Sequence, residues 1–213
     1  MINIFILVFS LCIGIYIGNL MYWLSVFMIK EDNVNLGILR KCIFNKRKGT
    51  VFKYILQMVT AFVFVMLFIK YGFSIPYIKY SILVSFLILI SIIDYRTQYI
   101  YSAVSYLAIA VSVVFIFLQH DFVYDYITAG ILGFIMAALI VILSRGGMGW
   151  GDADIFLLAG LNLGLYLFIK VFIVTFLLSG LVCAYNCLRD RKGCIALAPF
   201  ITIGVFIILF SSQ

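Results

Sequence analysis

The feature that most limits the fold of this chain is a succession of apolar runs close to the length of a lipid bilayer. A helix needs about 20 apolar residues to cross the hydrocarbon core. Several runs reach that length, and eight spans fit the chain: about Ile2–Met28, Val51–Ile69, Tyr80–Ile93, Ser102–Leu118, Tyr126–Ser144, Asp152–Ile169, Lys170–Leu188 and Ile195–Phe210. A soluble protein of 213 residues would hold one or two domains, but 66% hydrophobic and 11% charged residues override that estimate. The expected fold class is all-α, a polytopic membrane protein with about eight transmembrane helices. A two-helix region with a basic loop, residues 1–78, precedes a six-helix core, residues 79–213. The first run is too long for a cleavable signal and has no basic residue before it.

Charge supports the same reading. The net charge of +7 does not call for nucleic acid, because the basic residues fall between the apolar runs. Eight spans put twelve Lys and Arg on one side, among them Lys46, Arg47, Lys48, Arg145, Arg191 and Lys192, and three on the other, Lys70, Lys79 and Lys170. The positive-inside rule then makes the first side cytoplasmic and places both termini outside. The triplet Lys46-Arg47-Lys48 reads as a topology determinant that touches anionic lipid. A fused helix over Asp152–Leu188 would be far too long for one crossing, so two spans are expected there. Of the five cysteines, Cys183 and Cys187 lie four apart near one helix end. No Cys-x-x-Cys pair exists, so neither a zinc site nor a disulfide framework is expected.

Two stretches break the apolar pattern in a way that suggests chemistry. Gly146-Gly147-Met148-Gly149-Trp150-Gly151-Asp152-Ala153-Asp154 puts four glycines and two carboxylates between two spans, and Asp94 ends another run in Ile92-Ile93-Asp94-Tyr95-Arg96-Thr97. Carboxylates at membrane depth are costly and mark function. Asp152 can serve simply as a helix cap, and Asp94 can pair with Arg96. Neither explains glycine at alternate positions 147, 149 and 151, a spacing that suits close approach of backbone to a bound peptide. By the eight-span topology both acids lie at the cytoplasmic boundary, whereas Asp121 and Asp125 fall outside and Glu31, Asp32 and Asp190 fall in solvated cytoplasmic loops. Two carboxylates that share a site hold one proton between them. Such a pair can activate water with one member and protonate a carbonyl oxygen with the other. This needs no metal. His120, the sole histidine, is placed on the outer side, so a Ser-His or Cys-His mechanism lacks its base. Asp94 at the C-terminal end of its span and Asp152 at the N-terminal end of its own lead helix dipoles to favour the shared proton on Asp94.

The stretch Gly147-Met148-Gly149-Trp150-Gly151-Asp152 resembles the Gly-x-Gly-Asp signature of the type IV prepilin peptidases. Leu157-Leu158-Ala159-Gly160 and Leu163-Gly164 continue the likeness. Ile93-Asp94-Tyr95-Arg96-Thr97 resembles the family's first aspartate segment, and Cys194 to Gly204, with Ala198-Pro199-Phe200, its last helix. The similarity covers about Leu87 to Gly204. It implies a membrane aspartic endopeptidase of the bacterial inner membrane that cuts the basic leader of prepilins or pseudopilins at the cytoplasmic face. Asp94 and Asp152 are then the catalytic pair, and Gly147, Gly149 and Gly151 candidate substrate contacts. The chain departs from the family pattern at four places. Asp154 stands where Lys is common, and Tyr101 where Pro is frequent. Only Cys42 represents two Cys-x-x-Cys pairs, and Gln57 replaces a common Glu. Asp154 lies about 200° around a helix from Asp152 and is not expected in the dyad. The peptidase reaction needs no cofactor. S-adenosylmethionine is implied only if methylation of the new terminus is retained, which the changes at Cys42 and Gln57 oppose.

Two other readings compete. A proton- or cation-coupled small transporter would also use membrane acids, but such proteins place their site near the midplane and show internal repeats. This chain shows no repeat, and its acids sit at one face. A scaffold of a secretion machine would not need both aspartates.

Overall fold

A computed structural model describes residues 4–31, 46–119, 123–144, 147–189 and 196–211. Asp32, Cys42, His120, Asp121, Arg145, Gly146, Asp190, Arg191, Lys192 and Cys194, on which parts of the reading above rest, lie outside the described residues. The described residues form eight helices and no strand: α1 Ile4–Glu31, α2 Lys46–Tyr71, α3 Ile75–Thr97, α4 Ser102–Leu118, α5 Val123–Leu143, α6 Trp150–Leu163, α7 Leu165–Leu188 and α8 Ala198–Ser211. A helix satisfies every interior backbone group within itself, which lipid demands. Five of them, α1, α2, α3, α5 and α7, are long and apolar enough to cross a membrane. The protein is therefore an all-α polytopic membrane protein.

Several boundaries differ from the hydropathy reading. α3 starts at Ile75 rather than Tyr80, because Pro76 is tolerated in a first helical turn. It runs past Ile93 to Thr97, so Asp94 lies inside its last turn. The break between the sixth and seventh spans falls at Gly164, not at Lys170. Gly164 has φ +75°, a conformation glycine adopts without steric cost. The N–H of Leu165 just after it donates to both carboxylate oxygens of Asp125 on α5 at 3.3 Å. Lys170 sits within α7, its ammonium 4.0 Å from the centre of the Tyr166 ring one turn earlier.

The chain divides into two compact units, Met1–Ser85 and Phe86–Gln213, with the division inside α3. In the first, α1 packs on α2 through Gly14 and Gly18, which face Ala61, Thr60 and Gln57. Thr60 Oγ1 donates across the pair to the Gly14 carbonyl at 2.8 Å. Small residues and a hydroxyl at the contact are what helices use in lipid, where apolar burial offers no driving force.

In the second unit α6 is the central helix. At 14 residues it is short, and ten of its residues are buried. It packs against α4, α5, α7 and α8. A helix apolar all round is one enclosed by others. The α5 side is lined by Ala129, Gly130, Gly133 and Ala137, all buried. Toward α7, Phe156 stacks on Phe176 with centroids 5.8 Å apart and meets Phe168 edge-on at 6.4 Å. Toward α4, buried Asn162 donates from Nδ2 to Ser112 Oγ at 2.7 Å.

Candidate functional site

Asp94 and Asp152 both belong to the second unit, and both are buried, 5% and 8% exposed. They come from the end of α3 and the start of α6. The Asp94 carboxylate lies close enough to act electrostatically on Asp152. The two acids expected to meet are thus within electrostatic reach of each other across 58 residues of chain, 94 to 152.

Local structure explains how. α3 ends because Gln98 adopts a left-handed conformation, φ 53°, while its N–H closes on the Asp94 carbonyl at 2.8 Å. That is the usual geometry of a helix C-terminus, here on a non-glycine residue. Thr97 Oγ1 donates to the Ile93 carbonyl at 2.8 Å and tightens the same turn. The chain then reaches Ile100, which packs on Gly151 in the first turn of α6. A Cβ on Gly151 would lie 2.7 Å from the Ile100 Cβ. Gly151 therefore admits the segment that follows Asp94 and lets the two aspartates approach.

α6 begins at Trp150, with Gly149 as its N-cap, two residues before the expected start. Asp152 is the third helical residue. Its N–H donates to the Gly149 carbonyl at 3.2 Å, and Gly149 N–H donates to Asp152 Oδ2 at 3.2 Å. Asp152 therefore supports the helix start, as in half of a capping box, while its other oxygen is free of that task. Oδ1 is buried with no hydrogen-bond partner among the described residues. Gly147 and Gly149 are exposed. Neither has a positive φ, so no left-handed turn calls for glycine at either position. Asp154 is only half-buried, in keeping with its rotation away from Asp152.

Asp94 has a partner that the sequence reading missed. Ala198 N–H, at the first residue of α8, donates to Asp94 Oδ2 at 3.1 Å. The signal was present in Ala198-Pro199, since proline favours the first turn of a helix and marks its start. This contact alters the dipole argument. The C-terminal end of α3 disfavours an anion at Asp94, but the N-terminal end of α8 favours one there. Asp94 thus gains the same kind of support that α6 gives Asp152, which offsets the α3 terminus and reduces, without reversing, the dipole bias of the proton toward Asp94.

Cys12, Cys183 and Cys187 are free and exposed. They take no part in the site.

Two buried carboxylates within electrostatic reach, each holding one backbone N–H, are an arrangement that acid–base chemistry on a bound carbonyl could use. Residues 81–184 match the model of the type IV leader peptidase family, and the match includes Asp94, Asp152 and the glycine-rich stretch. No curated protein and no solved structure matches the chain. The match covers just under half of the chain and supports a place for this membrane protein among the type IV leader peptidases, and with it a protease.

Proposed function

We propose that the protein is an aspartic endopeptidase that removes the leader of prepilins or pseudopilins, with Asp94 and Asp152 as its catalytic pair. The observation that carries this reading is the pair itself: two buried carboxylates from separate helices, within electrostatic reach of each other. In this reading the pair holds one proton, since burial and the like charge nearby both oppose ionisation of the two acids together. The ionised member takes a proton from water, and the water oxygen attacks the scissile carbonyl carbon. The protonated member gives its proton to the carbonyl oxygen, leaving a neutral gem-diol. Collapse of the diol breaks the C–N bond, a proton passes to the amine, and the pair returns to its single-proton state.

The exposed backbone at Gly147 and Gly149 is the proposed seat of the peptide, with no side chain to obstruct it. Gly151 has the separate role of admitting Ile100. Cleavage is proposed at the cytoplasmic face of the bacterial inner membrane, with both termini outside, on the strength of the basic-residue asymmetry. The reaction uses no cofactor, and methylation from S-adenosylmethionine is not part of it.

The direct test is to incubate membranes containing the full chain with a prepilin and to sequence the N-terminus of the product. A single new terminus after the leader is expected. An intact prepilin, under conditions where a known leader peptidase cuts it, would overturn the reading.

A second experiment separates the glycines. Gly151→Ala is expected to lower kcat roughly tenfold or more, because the added Cβ pushes Ile100 away and misplaces one acid against the other. Gly149→Ala should lower kcat less and raise KM instead, since its Cβ would sit 3.6 Å from Asp152 Oδ2, an ordinary contact, but would intrude on the proposed peptide seat. Equal losses in the two variants would show that Ile100 packing is not what Gly151 provides.

A further inference from the structure

Every backbone N–H in the first turn of α8 can be accounted for. The first four N–H groups of a helix have no partner within it. Pro199 has none to give. Phe200 and Ile201 N–H both turn back to the Leu197 carbonyl, at 3.0 and 3.2 Å. Ala198 N–H alone remains, and it goes to Asp94. Asp94 and the start of α8 therefore hold each other. The N–H stays on Asp94 only while α8 keeps its axial position against α3, because a slide of one residue is about 1.5 Å.

One turn deeper, a second polar contact sets that position. Ser91 Oγ and Thr202 Oγ1 are 2.6 Å apart and buried. Thr202 Oγ1 also lies 2.9 Å from the Ala198 carbonyl and 3.3 Å from the Leu87 carbonyl on α3. Thr202 has a single hydroxyl proton. With that proton given to a carbonyl, Ser91 must donate to Thr202, and the chain of donors then runs in one direction. Ser91 precedes Asp94 by one helical turn, and Thr202 follows Ala198 by one turn. The seam thus reads along both helices in register, ending at the acid.

We propose that Ser91 and Thr202 are positioning residues for Asp94: their buried hydroxyl pair holds α8 on α3 so that Ala198 N–H is presented to the carboxylate. The inference rests on the reading of Asp94 as catalytic. Neither hydroxyl touches the substrate, and their effect is on the rate of the chemical step rather than on binding.

The test is steady-state cleavage by the full chain in membranes, with Thr202→Val as the isosteric variant that lacks the hydroxyl. A fall in kcat of roughly 10- to 100-fold is expected, the order that small misplacements of catalytic groups produce. KM should stay within about twofold, as for a group not engaged in substrate binding. Thr202→Ser restores the hydroxyl, and its kcat should return to within about threefold of the parent, allowing for the lost methyl. Ser91→Ala is the second variant, and it should show the same split if Thr202→Val fails to accumulate. Parental kcat in Thr202→Val or Ser91→Ala, a loss confined to KM, or a loss in Thr202→Ser equal to that in Thr202→Val would each overturn the proposal. Asp94→Asn in the same assay separates the two levels of argument. If it is inactive while Thr202→Val is normal, only the positioning role falls. If it still cleaves, the catalytic assignment of Asp94 falls and the positioning role with it.

Discussion

Asp94→Asn and Asp152→Asn are each expected to lower kcat/KM for leader cleavage by about 10³-fold or more, with protein levels in the membrane unchanged. General acid or base catalysis contributes roughly 10²–10⁴-fold, and in a one-proton pair the loss of either member removes both functions at once. Asparagine keeps the shape of aspartate and one acceptor oxygen. It can still receive Ala198 N–H at position 94, or Gly149 N–H at position 152, so neither helix end loses its support. What is lost is the ability to take up and release a proton. Asp154→Asn is the control, half-buried and turned off the pair, and should stay within a few-fold of the parent. Activity lost in Asp154→Asn but kept in Asp152→Asn would sink the assignment of the second acid. Cleavage of a prepilin by each variant, with membrane content measured by immunoblot, decides the matter.

Gly160→Ala is expected to give the largest loss of stability of any single-methyl change on α6. A Cβ at position 160 would meet the carbonyl of Ala129, with its carbon at 2.6 Å, and the Cα of Gly130 at 2.7 Å. These are backbone atoms of α5. No rotamer relieves the clash, and the two helices must separate. Overpacking costs about 1–3 kcal/mol and occasionally more. Alanine's better helix propensity offsets only about 1 kcal/mol of that. Separation would also loosen the neighbouring contacts of Gly130 with Leu161 and Gly133 with Phe156. Gly180 on α7 is the matched control, since a Cβ there meets nothing within 4 Å. Thermal unfolding in detergent should show Gly160→Ala markedly below the parent and Gly180→Ala at or slightly above it. A parental melting temperature for Gly160→Ala would mean that α5 and α6 are not in backbone contact.

Run length and the placement of charge were enough to read eight helices, because lipid selects each apolar segment separately, although only five of the eight are long and apolar enough to cross a membrane. The two aspartates were legible for a related reason, since an acid beside an apolar run is conspicuous. The finer boundaries were less so. Lys170 looked like a loop residue but lies in α7 beside Tyr166, because a long basic side chain can follow an aromatic neighbour and needs no break in the helix. Gly164 was legible only as part of the stretch Leu163-Gly164, and its positive φ and the Asp125 carboxylate beside it mark it as the true break.

Hydropathy could not indicate which helix faces which. A leucine side chain is as well placed against lipid as against another helix, so an apolar helix carries no stripe that names its partner. The pairing instead comes from shape and from a few polar groups: Gly160 against Ala129, Gly151 against Ile100, Asn162 with Ser112, Ser91 with Thr202. Each is a relation between residues far apart in the chain, and neither member announces it alone. The composition of the chain dictates a membrane bundle and exposes its two costly acids. That Asp94 lies within electrostatic reach of Asp152, and rests on the first N–H of α8, follows from helix packing, because both relations exist only when the backbones have already come close.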